Sequence, residues 1–288
     1  MLSLHTNAAT LSAQNSISRT QASLSTSMTR LSTGYRINSA MDDAAGLQIA
    51  TRLKAQTSGM SVAMRNTQNS TSMLQTAEGA LDEVSNMLVR MKDLATQAFD
   101  ASSTDADKDA MQSEYSQLGA EIKNIMTKTT FGGKELLIGG TIGKTGGMTF
   151  QIGASAGETM SLDLEASMKT GGTLDKALED VALGYKDGTV GTELKATANT
   201  IITTISGAID SVATIRSSLG AAANRLDHVY NNLANISTNT KNATGRIMDV
   251  DFATESANMT SNQMLMQAGT AMLKQTNSMS SMVMSLLQ

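Results

Sequence analysis

The sequence contains no proline, no cysteine and no tryptophan, and only two histidines. A proline inside a helix costs roughly 3 kcal/mol, so its absence leaves the chain open to long uninterrupted helices. Without cysteine there is no disulfide, no thiolate metal site and no cysteine nucleophile, which suits a secreted and a cytoplasmic protein equally. Aromatic residues make up 3% of the chain, too few for a dense globular core, and 21 methionines supply much of the apolar filling. Methionine is soft and packs adaptably. The net charge of −4 gives no electrostatic basis for binding nucleic acid or an anionic membrane. No apolar run approaches the ~20 residues that span a bilayer, so no membrane insertion is expected. Met1 to Thr20 lacks the basic start and apolar centre of a cleavable secretory signal. A protein of this kind that leaves the cell does so by another route.

Signs of chemistry are also missing. His5 and His228 are far apart in sequence, and there is no HExxH, no Cys/His cluster, no GxxxxGK[ST] and no GxGxxG after a strand. The pairs Asp42/Asp43 and Asp249/Asp251 read as helix-capping groups rather than acid–base pairs. His228 reads as a surface side chain, and Arg90, Lys92 and Asp93 as a solvated face with weak i,i+3 pairing. The sequons at Asn69 and Asn242 fall mid-helix and are treated as chance. No catalytic, cofactor-binding or metal-binding residue is assigned, and no enzyme is expected.

What is present is periodicity. From Leu194 to Ile247 apolar residues recur at alternating steps of four and three: Leu194, Ala198, Ile201, Ile205, Ala208, Val212, Ile215, Leu219, Ala222, Leu226, Val229, Leu233, Ile236, Thr240, Ala243, Ile247. Only Thr240 is polar. A spacing averaging about 3.5 places them on one stripe of a helix that supercoils against partners. That helix is on the order of 80 Å long and cannot bury itself.

The rest of the chain fits around it. Met1 to Tyr35 is a weak amphipathic helix with Ile17, Leu24 and Leu31 seven apart, too polar to be stable alone. Ser39 to Asp42 has the shape of a capping box opening a second helix, with Asp42 and Asp43 at its positive end. Its stripe runs through Leu74, Leu81, Val84, Leu88 and Met91. A third helix carries Met111, Tyr115, Leu118, Ile122 and Ile125 and stops near Phe131-Gly132-Gly133. Residues 136–191 are glycine-bearing. Within them, about 147–164 reads as a β-hairpin, Leu174 to Leu183 as a short helix and Gly184 to Gly191 as a loop. A last helix, from about Ala253 to Leu287, resumes with Met259, Met266 and Leu273 seven apart, and Met264, Ala268 and Ala271 widen its face. The expected fold is mainly α, a long antiparallel coiled-coil helical hairpin or bundle with a small β-hairpin element at the distal end.

Several segments carry a family resemblance. Arg30-Leu-Ser-Thr-Gly-Tyr-Arg-Ile-Asn-Ser-Ala-Met-Asp-Asp-Ala-Ala-Gly46 and Gln75-Thr-Ala-Glu-Gly-Ala-Leu81 resemble the N-terminal signature of bacterial flagellins. Ser218-Leu-Gly-Ala, Asn224-Arg-Leu226, Asp251-Phe-Ala-Thr-Glu255, Gln267-Ala-Gly-Thr270 and Ser285-Leu-Leu-Gln288 resemble the C-terminal region, and Phe150-Gln-Ile-Gly153 with Gly157-Glu158 the family's β-element. The resemblance implies a compact filament subunit without large outer domains, for swimming or swarming motility. Residues 1–42 and 247–288 would be filament-core helices. Residues 43–246 would form a helical spoke, with a short surface excursion at about 165–191.

It also implies export of the unfolded chain through the flagellar type III channel and self-assembly at the tip of an extracellular filament. Leu24, Leu31, Met259, Met266, Leu273, Leu286 and Leu287 would serve as the assembly core. Further implied partners are an export chaperone held at the C-terminal region, the filament cap, hook-junction proteins and animal innate immune receptors. Arg90, Leu94 and Glu114 match the family's receptor-facing residues. Thr141, Ser155, Ser161, Ser167, Thr173 and Thr189 are candidate O-glycan acceptors. Two alternatives stand beside this reading. A hook–filament junction protein shares the end motifs. A chemoreceptor signalling bundle is also an Ala/Ser/Met-rich helical hairpin, but the β-hairpin and the lack of a membrane span argue against it.

Overall fold

The computed structural model describes residues 8–182, 185, 186, 191–196 and 198–285. Its helices are α1 (Ala8–Thr33), α2 (Ala44–Phe99), α3 (Asp105–Lys128), the short α4 (Glu165–Met168), α5 (Thr173–Val181) and α6 (Glu193–Ala196), then α7 (Ala198–Met248) and α8 (Phe252–Ser285). Strands β1 (Thr130–Phe131) and β2 (Lys134–Glu135) form one small antiparallel ladder. Strands β3 (Met148–Gln151) and β4 (Thr159–Leu162) form a second, with Phe150 opposite Met160. The mainly α fold with its hairpin is therefore found. The chain divides into two compact units, residues 1–57 with 238–288, and residues 58–237.

In the 58–237 unit, α2 and α7 run antiparallel. Arg216 on α7 reaches Glu78 at 2.8 Å and Asp82 at 2.9 Å, while Leu233 packs with Met60 and Ala63. The core joins Leu74, Leu81, Val84 and Leu88 of α2 to Ile205, Val212, Ile215 and Leu219 of α7, and to Tyr115 and Ile122 of α3. Met148, Phe150 and Met160 of the hairpin close it on another side. Two buried polar side chains fix the α3 side: the Tyr115 hydroxyl donates to the Val181 carbonyl at 2.6 Å, and the Gln112 side-chain oxygen accepts from the Leu194 N–H at 2.9 Å. Asp109 and Lys195 pair beside them.

In the unit of residues 1–57 with 238–288, α1 and α8 pair antiparallel. Arg30 faces Glu255, and a side chain at Gly269 would meet Ile17. The connectors preceding α2 and following α7 are stitched together. Arg36 N–H donates to the Met248 carbonyl at 2.6 Å, and Val250 N–H to Gly34 at 3.0 Å. The Arg36 guanidinium donates to the Ile247 carbonyl at 3.0 Å.

Local expectations differ from the structure in three places. The cap of α2 is Asp43, whose carboxylate accepts from the Gly46 N–H at 2.8 Å. Asp42 instead turns back onto the Asn38 and Ser39 N–H groups, because the chain from Ser39 to Asp42 is a turn and not yet helix. On α7, Ile236 is 38% exposed and Ser237 only 4%. Two consecutive steps of four, from Val229 to Leu233 to Ser237, replace the alternating pattern, which is how a helix near 3.6 residues per turn drifts off a 3.5 repeat. At the end of α3, Gly132 and Gly133 do more than stop the helix. Both have positive φ, 59° and 81°, and form the two-residue turn of the β1–β2 hairpin.

Candidate assembly surface

The α1–α8 pair is built from residue types that form poor helices alone. Many are Ser or Thr, whose hydroxyls compete for the backbone. Here that competition is resolved inside each helix. The Thr20, Thr26 and Thr29 hydroxyls donate to the carbonyls of Ser16, Ala22 and Ser25, and Thr260 and Thr276 do the same on α8. With its hydroxyl satisfied, such a side chain can be covered by an apolar neighbour without leaving a buried donor unpaired.

The seam between the helices is only half closed. Ile17, Leu24 and Leu31 on α1, and Met259, Met266 and Leu273 on α8, are all of intermediate burial. The fully buried seam positions are polar: Ser27 at 5% exposed and Glu255 at 7%. Away from the seam, large apolar side chains stand exposed among polar ones. Met264 is 60% exposed, Leu265 57%, Met272 64%, and on α1 Leu11 is 52% and Met28 51%. Large apolar side chains left exposed outside the seam are candidates for contact with a partner surface. The sequence-assigned Leu24, Leu31, Met259, Met266 and Leu273 thus line the contact within one chain. The outward residues Met264, Leu265, Met272, Leu11 and Met28 form a second face. Heptad counting followed the front of the helix and passed over its back; Met264, noted there only as widening the face, was the available signal. Leu286 and Leu287 lie outside the described residues.

The remaining candidates fall in the 58–237 unit. Arg90 and Glu114 meet across α2 and α3 at 2.8 Å, both about half exposed. Leu94 is 2% exposed and belongs to the core beneath them. Ser155, Ser161 and Thr173 are exposed and Ser167 is intermediate. Thr141 is intermediate, and its hydroxyl donates to the Glu135 carbonyl. Thr189 lies outside the described residues. Among the described residues no group of three or more His, Asp or Glu could hold a metal ion. None of the helices there is long and apolar enough to cross a membrane.

Two of the carboxylates held below their ordinary value, Asp107 and Asp251, lie at the starts of helices. Asp107 is held below its ordinary value first by the Thr104 hydroxyl and then by the Thr104 N–H, within the capping box that opens α3. Asp251 is lowered by the Thr254 hydroxyl and the Ala253 N–H, and Asp42 by the Ser39 and Asn38 N–H groups. Burial, and then Asp175, raise the Tyr185 phenol.

Comparison with known proteins agrees with this helical architecture. Residues 4–141 match the bacterial flagellin N-terminal helical region, and residues 202–287 the bacterial flagellin C-terminal helical region. The chain belongs to the bacterial flagellin family. Flagellin A of Vibrio anguillarum is 34% identical over 377 aligned positions that cover 100% of both proteins. Polar flagellin C of Vibrio parahaemolyticus is 32% identical over 385 positions, again covering 100% of both. These alignments are longer than the 288 residues of this chain, so the relatives carry inserted residues that it lacks. Among solved structures, a putative flagellar hook-associated protein from Vibrio parahaemolyticus shares the fold, with a TM-score of 0.58 at 18% identity over 72% of this chain and 100% of that one. Full-length similarity to flagellins sets aside the signalling bundle. As a member of the flagellin family the chain is a structural subunit of the flagellar filament, assembles with copies of itself, and is not an enzyme.

Proposed function

We propose that this subunit polymerises through its terminal helices, residues 1–42 and 247–288, as the filament core, while residues 43–246 form the surrounding spoke. The observation that carries this reading is the two-sided apolar character of α8. Its front meets α1, while Met264, Leu265 and Met272 remain more than half exposed. Covering those side chains by neighbouring copies stabilises the polymer by roughly 25 cal/mol per Å² of apolar area, before ordering costs. Head-to-tail contacts that do not close extend into a helical tube.

The polar, weakly helical ends support export as an unfolded chain through the type III channel, with ordering on assembly outside the cell. In this reading a chaperone holds the C-terminal region before export, and the finished polymer abuts the filament cap and hook-junction proteins. The exposed Arg90–Glu114 pair is the proposed contact for animal innate immune receptors, with Leu94 supporting it from below. Exposed Ser155, Ser161 and Thr173 are the most accessible proposed glycan acceptors.

Negative-stain electron microscopy of purified protein with short filament seeds tests the assembly reading, alongside a copy trimmed to Asp43–Arg246. Long uniform tubes from the full chain and none from the trimmed copy are expected. Discrete rods from the full chain under every seeding condition would sink it.

A further inference from the structure

The methionines are not distributed evenly between environments. In the 58–237 unit Met91, Met126, Met160 and Met168 are at most 1% exposed. The strongly exposed ones among the described residues are Met28, Met41, Met264 and Met272, and all four belong to the unit formed by residues 1–57 with 238–288. Three of them, Met28 at 51%, Met264 at 60% and Met272 at 64% exposed, sit on the outward faces of α1 and α8.

We propose that Met28, Met264 and Met272 are a reversible oxidation site that sets whether a free subunit can join the polymer, with hydrogen peroxide as the class of oxidant. This rests on the reading of the outward α1–α8 face as the contact between copies. In the reaction the thioether sulfur takes one oxygen atom from hydrogen peroxide. Sulfur is oxidised by two electrons to the sulfoxide, and the peroxide is reduced to water. No bond to the chain is broken. The product replaces an apolar, flexible side chain by a polar S=O that accepts hydrogen bonds. On the free subunit water satisfies that oxygen. At a contact between copies it loses water, and a covered S=O that finds no donor destabilises that contact where the thioether does not. The seam residues Met259 and Met266 are less accessible, so the α1–α8 pair itself persists. Subunits already in a polymer have the three sulfurs covered and resist the oxidant.

The test oxidises unassembled protein with hydrogen peroxide and locates sulfoxide by peptide mass spectrometry. Seeded growth is then followed by light scattering, with circular dichroism confirming retained helix. Growth of the wild type is expected to fall by about tenfold or more and to recover after treatment with both methionine sulfoxide reductases and a dithiol. The variant M28L/M264L/M272L, which keeps volume and apolarity, is expected to grow after the same treatment within about twofold of its untreated rate. M41L is expected to remain as sensitive as the wild type. Two results overturn the proposal: loss of growth in the treated triple variant equal to the wild type's, or normal growth of wild type carrying sulfoxide at all three positions. Failure of untreated wild type to extend seeds overturns the contact reading itself, and this proposal with it.

Discussion

The guanidinium of Arg30 and the carboxylate of Glu255 face each other across the α1–α8 seam at 3.8 Å, with the Glu255 side chain only 9% exposed and that of Arg30 29%. Glu255 sits in a polar cleft with Arg30, Ser27, Asn258 and Asn262. Removing Arg30 leaves that carboxylate without its counter-charge, whereas Glu255→Gln removes the charge and keeps the shape. Arg30→Ala should therefore weaken α8 docking by about 1–3 kcal/mol and Glu255→Gln by less, with the double variant milder than the sum. Amide hydrogen exchange along α8 in the unassembled protein reads this. Equal and additive losses would show that the pair does not couple.

Two helical glycines on α2 should respond oppositely to alanine. At Gly79 an added Cβ meets nothing within 4 Å, so Gly79→Ala gains helix propensity and should stabilise by about 0.5–1 kcal/mol. At Gly59 the same Cβ would lie 2.8 Å from the Ala154 Cβ in the hairpin loop and 3.2 Å from its Cα. The loop must shift, and Gly59→Ala should show no such gain. Thermal unfolding midpoints of the two variants decide the matter.

The Tyr115 hydroxyl donates to Val181 at 2.6 Å in a fully buried setting. Tyr115→Phe keeps the ring and loses the donor, and should cost about 1–3 kcal/mol. Chemical denaturation of the 58–237 unit's tertiary signal is the measurement, and an unchanged midpoint contradicts it.

Asp107 and Asp251 bind protons more weakly in the folded chain than at their ordinary value of 3.8. Because the folded affinity is depressed, their capping contribution is fully present above that value. It is lost as pH falls through the lower, folded value. Asp107→Asn should therefore differ from the wild type at neutral pH and converge with it in strong acid, as followed by helical circular dichroism. A difference that persists in strong acid would contradict this.

The long helices were legible because their apolar stripes repeat over many turns. Leu74 to Met91 and Ile201 to Leu226 are buried where the spacing put them. The hairpin was legible from the alternation of Met148, Phe150 and Ile152 around a glycine-bearing loop. The detail at Ser39–Asp42 was not, because a capping-box pattern and a closed turn use the same residue types, and only the backbone decides which N–H groups the aspartate meets. Gln112 and Tyr115 gave no polar signal, since their partners at Leu194 and Val181 are backbone groups distant in sequence. The outward face of α8 escaped heptad counting because Met264 and Met272 sit off the front stripe.

The most direct test of terminal-helix assembly is the seeded growth rate of M264Q/L265Q/M272Q. Glutamine retains helix propensity and the three positions are more than half exposed, so the free subunit should keep its helical content and thermal midpoint. The filament reading predicts that this variant fails to extend wild-type seeds. Extension at the wild-type rate by a folded variant would contradict the assignment of that face as the contact between subunits.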